Sequence, residues 1–169
     1  MNRIEQLAGV ERDLGTYTFE ADEIISFATK YDPQRFHVDP EAAKKSNFGG
    51  LCASGWHTTA VWMRLNVKDI MSEVKSAIAR GEQPPQFGPS PGFENLKWLK
   101  PVYAGDTIRF TRTINSIRAL KSRPGWSMMQ MSSAAYNQAG DKVLEFDSAA
   151  LIALPEHSSA LRRRSTSGH

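Results

Sequence analysis

Apolar and polar positions alternate from Leu14 to Glu20, and this near-two-residue period predicts a first strand. Past it, Asp22 is placed to cap a helix whose apolar residues Ile24, Ile25, Ala28 and Tyr31 recur at helical spacing. Pro33 stops that helix, because the residue before a proline is pushed out of the α region. A second short helix is expected from Asp39 as N-cap, Pro40 at the first helical position, and the run EAAKKS that stops before Gly49-Gly50. Only the turn from Asp32 to His37 separates the two helices.

From Gly55 to about Arg80 the pattern changes to one long helix. Val61, Met63, Val67, Ile70, Met71, Val74 and Ile78 step by three and four, which predicts one buried stripe, and Gly81 is the stop signal. Residues 81–94, GEQPPQFGPSPGFE, hold four prolines and three glycines and read as a loop, either a long connector or part of a binding surface. Strands are then expected over 95–102, 107–117, 126–137 and 143–154, with turns at Tyr103-Ala104-Gly105-Asp106 and Ala139-Gly140-Asp141. A long amphipathic helix followed by long antiparallel strands gives an α+β layout, the helix lying across the apolar face of the sheet.

Composition narrows the function classes. Arg162, Arg163 and Arg164 supply three of the 21 basic residues, which leaves 18 basic against 18 acidic side chains in residues 1–161. A balanced body lacks the charge footprint of a nucleic-acid binder, so the expected division is one domain over 1–157 and a solvated basic tail over 158–169. No apolar run approaches the roughly 20 residues of a membrane span, and the N-terminal segment carries charges where a signal peptide needs an apolar centre. We therefore expect a cytoplasmic protein with no membrane partner. The single cysteine, Cys52, has no intramolecular disulfide partner and reads as a small buried side chain. Phosphate-loop, dinucleotide, zincin and serine-hydrolase motifs are missing.

Two segments carry candidate chemistry. In YDPQRFHVDP, residues 31–40, Asp32 and His37 bracket a proline-stiffened turn and can project to one side. A carboxylate there can activate a water, and an imidazole can carry a proton at neutral pH. The same residues also read as a turn cap and a surface histidine. In FGGLCASGWH, residues 48–57, glycines lead into the long helix, whose first N–H groups are unsatisfied and suit a carbonyl oxygen that gains negative charge. Gly55 is the best donor in that segment, although a plain glycine-rich connector has the same composition.

The ordered set Asp32-Pro-Gln-Arg-Phe-His37-Val-Asp39-Pro40, Ala42-Ala43, Phe48-Gly49-Gly50, Ser54-Gly55, Asn95 to Val102, Gly105 to Ile108, Ser122-Arg123 and Asn137 to Gly140 resembles the MaoC-like dehydratases, which include R-specific enoyl-CoA hydratases. The resemblance runs from about Asp22 to Leu154. It implies a hotdog fold, a single antiparallel β-sheet wrapped around a long central helix, with two subunits pairing sheet to sheet and the site near their interface. It further implies reversible addition of water across the 2,3 double bond of an enoyl thioester. No metal or redox cofactor is implied, and coenzyme A enters only as part of an acyl-CoA substrate.

Carried over by position, Asp32 and His37 match the acid/base pair, and Gly55 matches the backbone donor to the thioester carbonyl. Gln34 stands where many relatives have an Asn that orders the turn. Ser54 replaces a His that precedes the glycine in many enoyl-CoA hydratases, and His57 lies one helical turn on. A serine found further along the helix in some members is missing, with Met63 near that place. Gln34, Ser54 and His57 are thus substrate-binding candidates, although His57 also fits a packed helix-start histidine. Lys97, Lys100, Lys121 and Arg123 are candidates for coenzyme A phosphates, Lys97 and Arg123 foremost, or else solvated charges. Trp98, Trp126 and Phe93 suit either an acyl tunnel or the core.

Two other readings stay open. Hotdog thioesterases commonly place an acidic residue near the start of the long helix, and here the first carboxylate on it is Asp69. A non-catalytic acyl-CoA-binding subunit would not need the Asp32–His37 pair. The chain is too short to hold two hotdog repeats, so what the family resemblance implies is a homodimer or a dimer of dimers.

Overall fold

Six strands joined edge to edge in one antiparallel sheet form the scaffold of the computed structural model, which describes residues 3–155. The predicted basic tail over 158–169 lies outside the described residues. In chain order the elements are α1 (Arg3–Gln6), β1 (Glu11–Thr18), α2 (Ala21–Tyr31), α3 (Arg35–Val38), α4 (Pro40–Lys44), α5 (Gly55–Ala79), β2 (Gln86–Phe87), β3 (Gly92–Trp98), β4 (Thr107–Ala119), β5 (Ser127–Tyr136) and β6 (Lys142–Ala153). Strand order is β1-β4-β5-β6-β2, and β3 also pairs with β6. The curled sheet carries α5 on one face, the α+β hotdog architecture that the sequence implies.

Inward-facing residues of the long strands make the core. Ile108, Phe110, Ala135 and Leu144 pack with Leu14, Phe19, Ile24, Val61 and Trp62. The turns form where expected: Gly105 at φ 91° closes the link into β4, where the Asp106 N–H donates to the Tyr103 carbonyl. Gly140 at φ 84° closes the link into β6. In both, only glycine takes the left-handed backbone without steric cost.

Four expectations need correction. The N-cap of α2 is Glu20, not Asp22; Asp22 sits in the first turn, where a negative charge complements the helix dipole. The 81–94 segment is not wholly a loop: Gln86 and Phe87 pair with Ala153 and Ile152, and Gly92 and Phe93 already pair with Ala149 and Ser148. Its prolines fall at a sheet margin, where a missing donor breaks no ladder. The strand expected over 95–102 starts earlier and ends at Trp98.

The largest correction concerns α5. Its expected buried stripe is mostly outside: Met63 is 51% exposed, Val67 44%, Met71 51% and Ile78 59%. The buried residues of α5 are His57, Thr58, Val61, Trp62, Asn66 and Ala77, of which only Val61 belongs to the expected stripe. Periodicity identifies an apolar face but not what it meets, and here polar residues on the opposite face find buried partners. Arg112 of β4 donates to Asn66 Oδ1 and to Asp69 Oδ2, the latter at 3.0 Å. Arg12 of β1 donates to Asp69 Oδ1 at 2.7 Å and to Glu73 at 2.9 Å. The Trp62 indole N–H adds a bond to the Thr111 carbonyl.

Removing Asp69 leaves the Arg112 charge buried without its carboxylate. Asp69→Ala is expected to cost about 3 kcal/mol of unfolding free energy, read by urea denaturation. A loss under about 0.5 kcal/mol would contradict this account of how α5 is fixed.

Candidate active site

The end of α2 sets the first functional side chain. Asp32 is the C-cap, its backbone N–H bonded to the Ala28 carbonyl at 2.9 Å, and Pro33 prevents the helix from continuing. The chain then turns: Gln34 donates its N–H to the Asp32 carbonyl, and the single helical turn α3 carries His37 inward until it is 6% exposed. The turn read from sequence between Asp32 and His37 thus ends in a helical segment. Next, α4 starts as expected, with the Asp39 carboxylate accepting from the Glu41 and Ala42 N–H groups.

The strand-like segment ahead of α5 supplies the other wall. Ala53 donates to the Val102 carbonyl at 2.7 Å, Ala104 to Leu51 at 3.0 Å, and Cys52 to Phe36 at 3.3 Å. So held, the Cys52 carbonyl lies 2.6 Å from His37 Nδ1. A carbonyl only accepts, so Nδ1 carries the proton, and the neutral ring presents a bare Nε2. That nitrogen lies 3.4 Å from Asp32 Oδ2. Two acceptors facing each other at this separation can share one water through its two O–H groups, or one proton. Cys52 itself offers no nucleophile: burial first, then the Asp32 charge, pushes its thiol up to about 11.

Both oxygens of Asp32 have a protein donor. Gln34 Nε2 donates to Oδ1 at 2.8 Å, and the Ser54 hydroxyl donates to Oδ2 at 2.7 Å. Burial pushes this carboxyl up, but the hydrogen bonds from Gln34 and Ser54, joined by His37 whenever its ring is protonated, outweigh it, so the group lies below the ordinary carboxylate range. Asp32 is ionised at neutral pH.

At the start of α5, Ser54 is the N-cap and accepts from the Trp56 N–H, while the His57 and Thr58 N–H groups reach the Ser54 carbonyl. The Gly55 N–H is left without a partner among the described residues, one residue from the serine bonded to Asp32. The Trp98 indole covers Gly55, bonded through Nε1 to Thr59 Oγ1 at 3.2 Å. A Cβ on Gly55 would fall 2.3 Å from Trp98 Cδ2.

The structure therefore brings together Asp32, His37, Gln34, Ser54 and Gly55. His57 is near in sequence but packed away, stacked on Phe27 at 4.5 Å and edge-on to Phe19 at 5.0 Å. Burial pushes its imidazole below the ordinary value, and Nδ1 has no partner. Lys97 pairs with Glu145 at 3.1 Å, and strand alternation turns it to the sheet face opposite Trp98. Lys100 pairs with Asp141. Arg123 lies over the Trp126 ring in the turn beyond Ala119. The 13 residues of β4 place it roughly 40 Å along the strand from the Thr107 end, where the site sits. Within one chain, Lys97 and Arg123 are not part of this cluster. Phe93 and Trp98 are largely exposed and not core, and Trp126 is half-buried.

Sequence reasoning missed the Cys52 carbonyl, the Ser54–Asp32 bond and the Trp98 cover. The first is a backbone group with no residue-type signal, and the other two join residues 22 and 43 positions apart.

The family model for the MaoC-like domain matches residues 4–125. A MaoC-like dehydratase from Rhodospirillum rubrum superposes with a TM-score of 0.74 at 32% identity, over 93% of this chain and 99% of that one. The uncharacterized protein YdeM of Bacillus subtilis is 30% identical over 131 residues, 78% of this chain and 84% of that protein. The fold is also shared with an (R)-hydratase from A. caviae involved in PHA biosynthesis, with a TM-score of 0.57 at 17% identity, over 88% of this chain and 96% of that one.

The Trp98 contact makes position 55 intolerant of a side chain. Gly55→Ala is expected to displace the indole, shifting tryptophan emission and lowering stability by about 1–3 kcal/mol. Unchanged emission and stability would show that Trp98 does not close on Gly55 in solution.

Proposed function

The chain belongs to the MaoC-like domain family, and from that premise we propose that it is a hydro-lyase adding or removing water across the 2,3 double bond of an enoyl thioester. The observation that supports this most is Asp32 Oδ2 facing His37 Nε2 at 3.4 Å, with the imidazole tautomer set by the Cys52 carbonyl. Both groups accept from one water, which makes its oxygen a nucleophile toward C3. The thioester oxygen gains negative charge as the C3–O bond forms, and the Gly55 N–H beside it is the donor for that oxygen. The proton taken from water returns to C2, so H and OH are added in balance. In the reverse direction the pair removes the C2 proton and protonates the leaving hydroxyl.

Coenzyme A enters this scheme only as part of the substrate. Hydrolysis of the thioester is disfavoured because α5 carries no carboxylate before Asp69.

Ultraviolet absorbance of crotonyl-CoA and longer or branched enoyl-CoAs measures the reaction directly. Loss of the conjugated absorbance is expected, and Asp32→Ala and His37→Ala should each lower it by about 10²-fold or more. Inactivity on every thioester, or full activity in both variants, would overturn the reading. Free thiol released at the rate of absorbance loss would identify hydrolysis instead.

We also propose that the chain works as a homodimer or a dimer of dimers. Trp56, Met63, Val67, Met71 and Ile78 are exposed along α5, and Trp56 meets the exposed Phe93 and Trp98 rings of β3, apolar side chains of the kind that a second subunit would cover. Sedimentation velocity should give a dimer or larger, and Met63→Glu with Val67→Glu should weaken it; a monomer at micromolar concentration would refute the proposal.

A further inference from the structure

Ser54 is fully buried, and its hydroxyl stands between two groups that the hydro-lyase reading treats separately. On one side it accepts from the Trp56 N–H at 3.3 Å, as the cap of α5. On the other it donates to Asp32 Oδ2 at 2.7 Å. A hydroxyl has one proton, and an amide can only donate, so the direction of both bonds is settled. The serine proton points to Asp32, and this bond exists only while Oδ2 carries no proton on that side.

The oxygen involved is the one that faces His37 Nε2 at 3.4 Å; Gln34 holds the other. The two donors are therefore not equivalent. Gln34 stops the carboxylate from rotating, whereas Ser54 acts on the atom that would receive the proton of water. The peptide dipoles of a 25-residue helix also place positive potential beside that oxygen.

We propose that Ser54 is a positioning residue for the reaction, whose hydroxyl aims Asp32 Oδ2 at the water shared with His37 and keeps that oxygen an acceptor. The proposal rests on the hydro-lyase reading, and it changes the role expected for Ser54, from contact with substrate to control of the base. In Ser54→Ala the bond to the ionised form is lost, so Asp32 should take up its proton at higher pH, and the acid limb of the rate profile should move up with it. Ser54→Thr retains a hydroxyl and the cap.

The experiment compares kcat and KM against pH for the wild type, Ser54→Ala and Ser54→Thr, with thermal melts as a check on folding. In Ser54→Ala, kcat should fall by about 10- to 100-fold with KM little changed, as expected for one hydrogen bond to a charged group. The acid limb should shift upward, and Ser54→Thr should restore both. A fall in melting temperature with an unmoved acid limb would reduce Ser54 to a helix cap and overturn the proposal. So would a rise in KM with kcat unchanged, which is the mark of substrate contact. Titration of the carbon-13-labelled Asp32 carboxyl by NMR needs no activity and separates the two claims. Wild-type inactivity on all thioesters would sink the hydro-lyase reading, while an Asp32 titration unchanged in Ser54→Ala would sink the role of Ser54.

Discussion

Helix α5 has to lie on the sheet at one height and one rotation, because its first turn forms a wall of the site. Apolar contacts alone restrain such a helix weakly against sliding, since one ridge packs much like the next. Here the placement is made specific by polar partners: Arg112 and Arg12, on neighbouring strands, converge on the Asp69 carboxylate, Asn66 accepts a further bond from Arg112 and Glu73 one from Arg12. The Trp62 bond to the Thr111 carbonyl ties the same stretch to β4. Each of these bonds has a direction and a length, so together they admit one register. Buried ion pairs add little net stability, and their clearest use is to select one arrangement over others.

Once α5 is placed, the rest of the site follows from who can donate and who can accept. The Cys52 carbonyl gives His37 one tautomer, and that tautomer turns a bare nitrogen toward Asp32. Asp32 is held at both oxygens yet keeps lone pairs free, because a carboxylate has about four acceptor positions. Ser54 consumes the Trp56 N–H, and the neighbouring Gly55 N–H has no partner among the described residues. The Trp98 ring against Gly55 explains why a glycine stands at the head of a long helix, where its low helix propensity would otherwise be a disadvantage.

The two faces of α5 show how far a periodic pattern can be read. Met63, Val67, Met71 and Ile78 form a regular apolar row, but the row faces outward in the single chain. The sheet-facing side mixes Trp62 and Val61 with Asn66 and Asp69, a composition that looks solvated until Arg112 and Arg12 are placed opposite. An apolar row says that something covers it. It does not say whether the cover is the chain's own sheet or another subunit.

Local chemistry accounts for what was legible in the residues themselves. Pro33 ends α2, Asp39-Pro40 starts α4, Gly81 follows the end of α5, and glycines at 105 and 140 close the turns that order the strands. The α+β layout follows from those signals, and the Asp32–His37 pair with Gly55 from residue type and order along the chain. Contacts between distant segments belong to the tertiary structure alone. Lys97 and Arg123 are suitable charges by type, yet one meets Glu145 on the far face of the sheet and the other a tryptophan at its far end. Ser54 looks like an ordinary helix cap until the fold sets it 2.7 Å from a carboxylate 22 residues earlier. Sequence states which groups can donate, accept or stop a helix, because those are properties of a residue and its neighbours. Which donor meets which acceptor depends on how α5 is seated on the sheet, and that seating is settled only when the whole chain has packed.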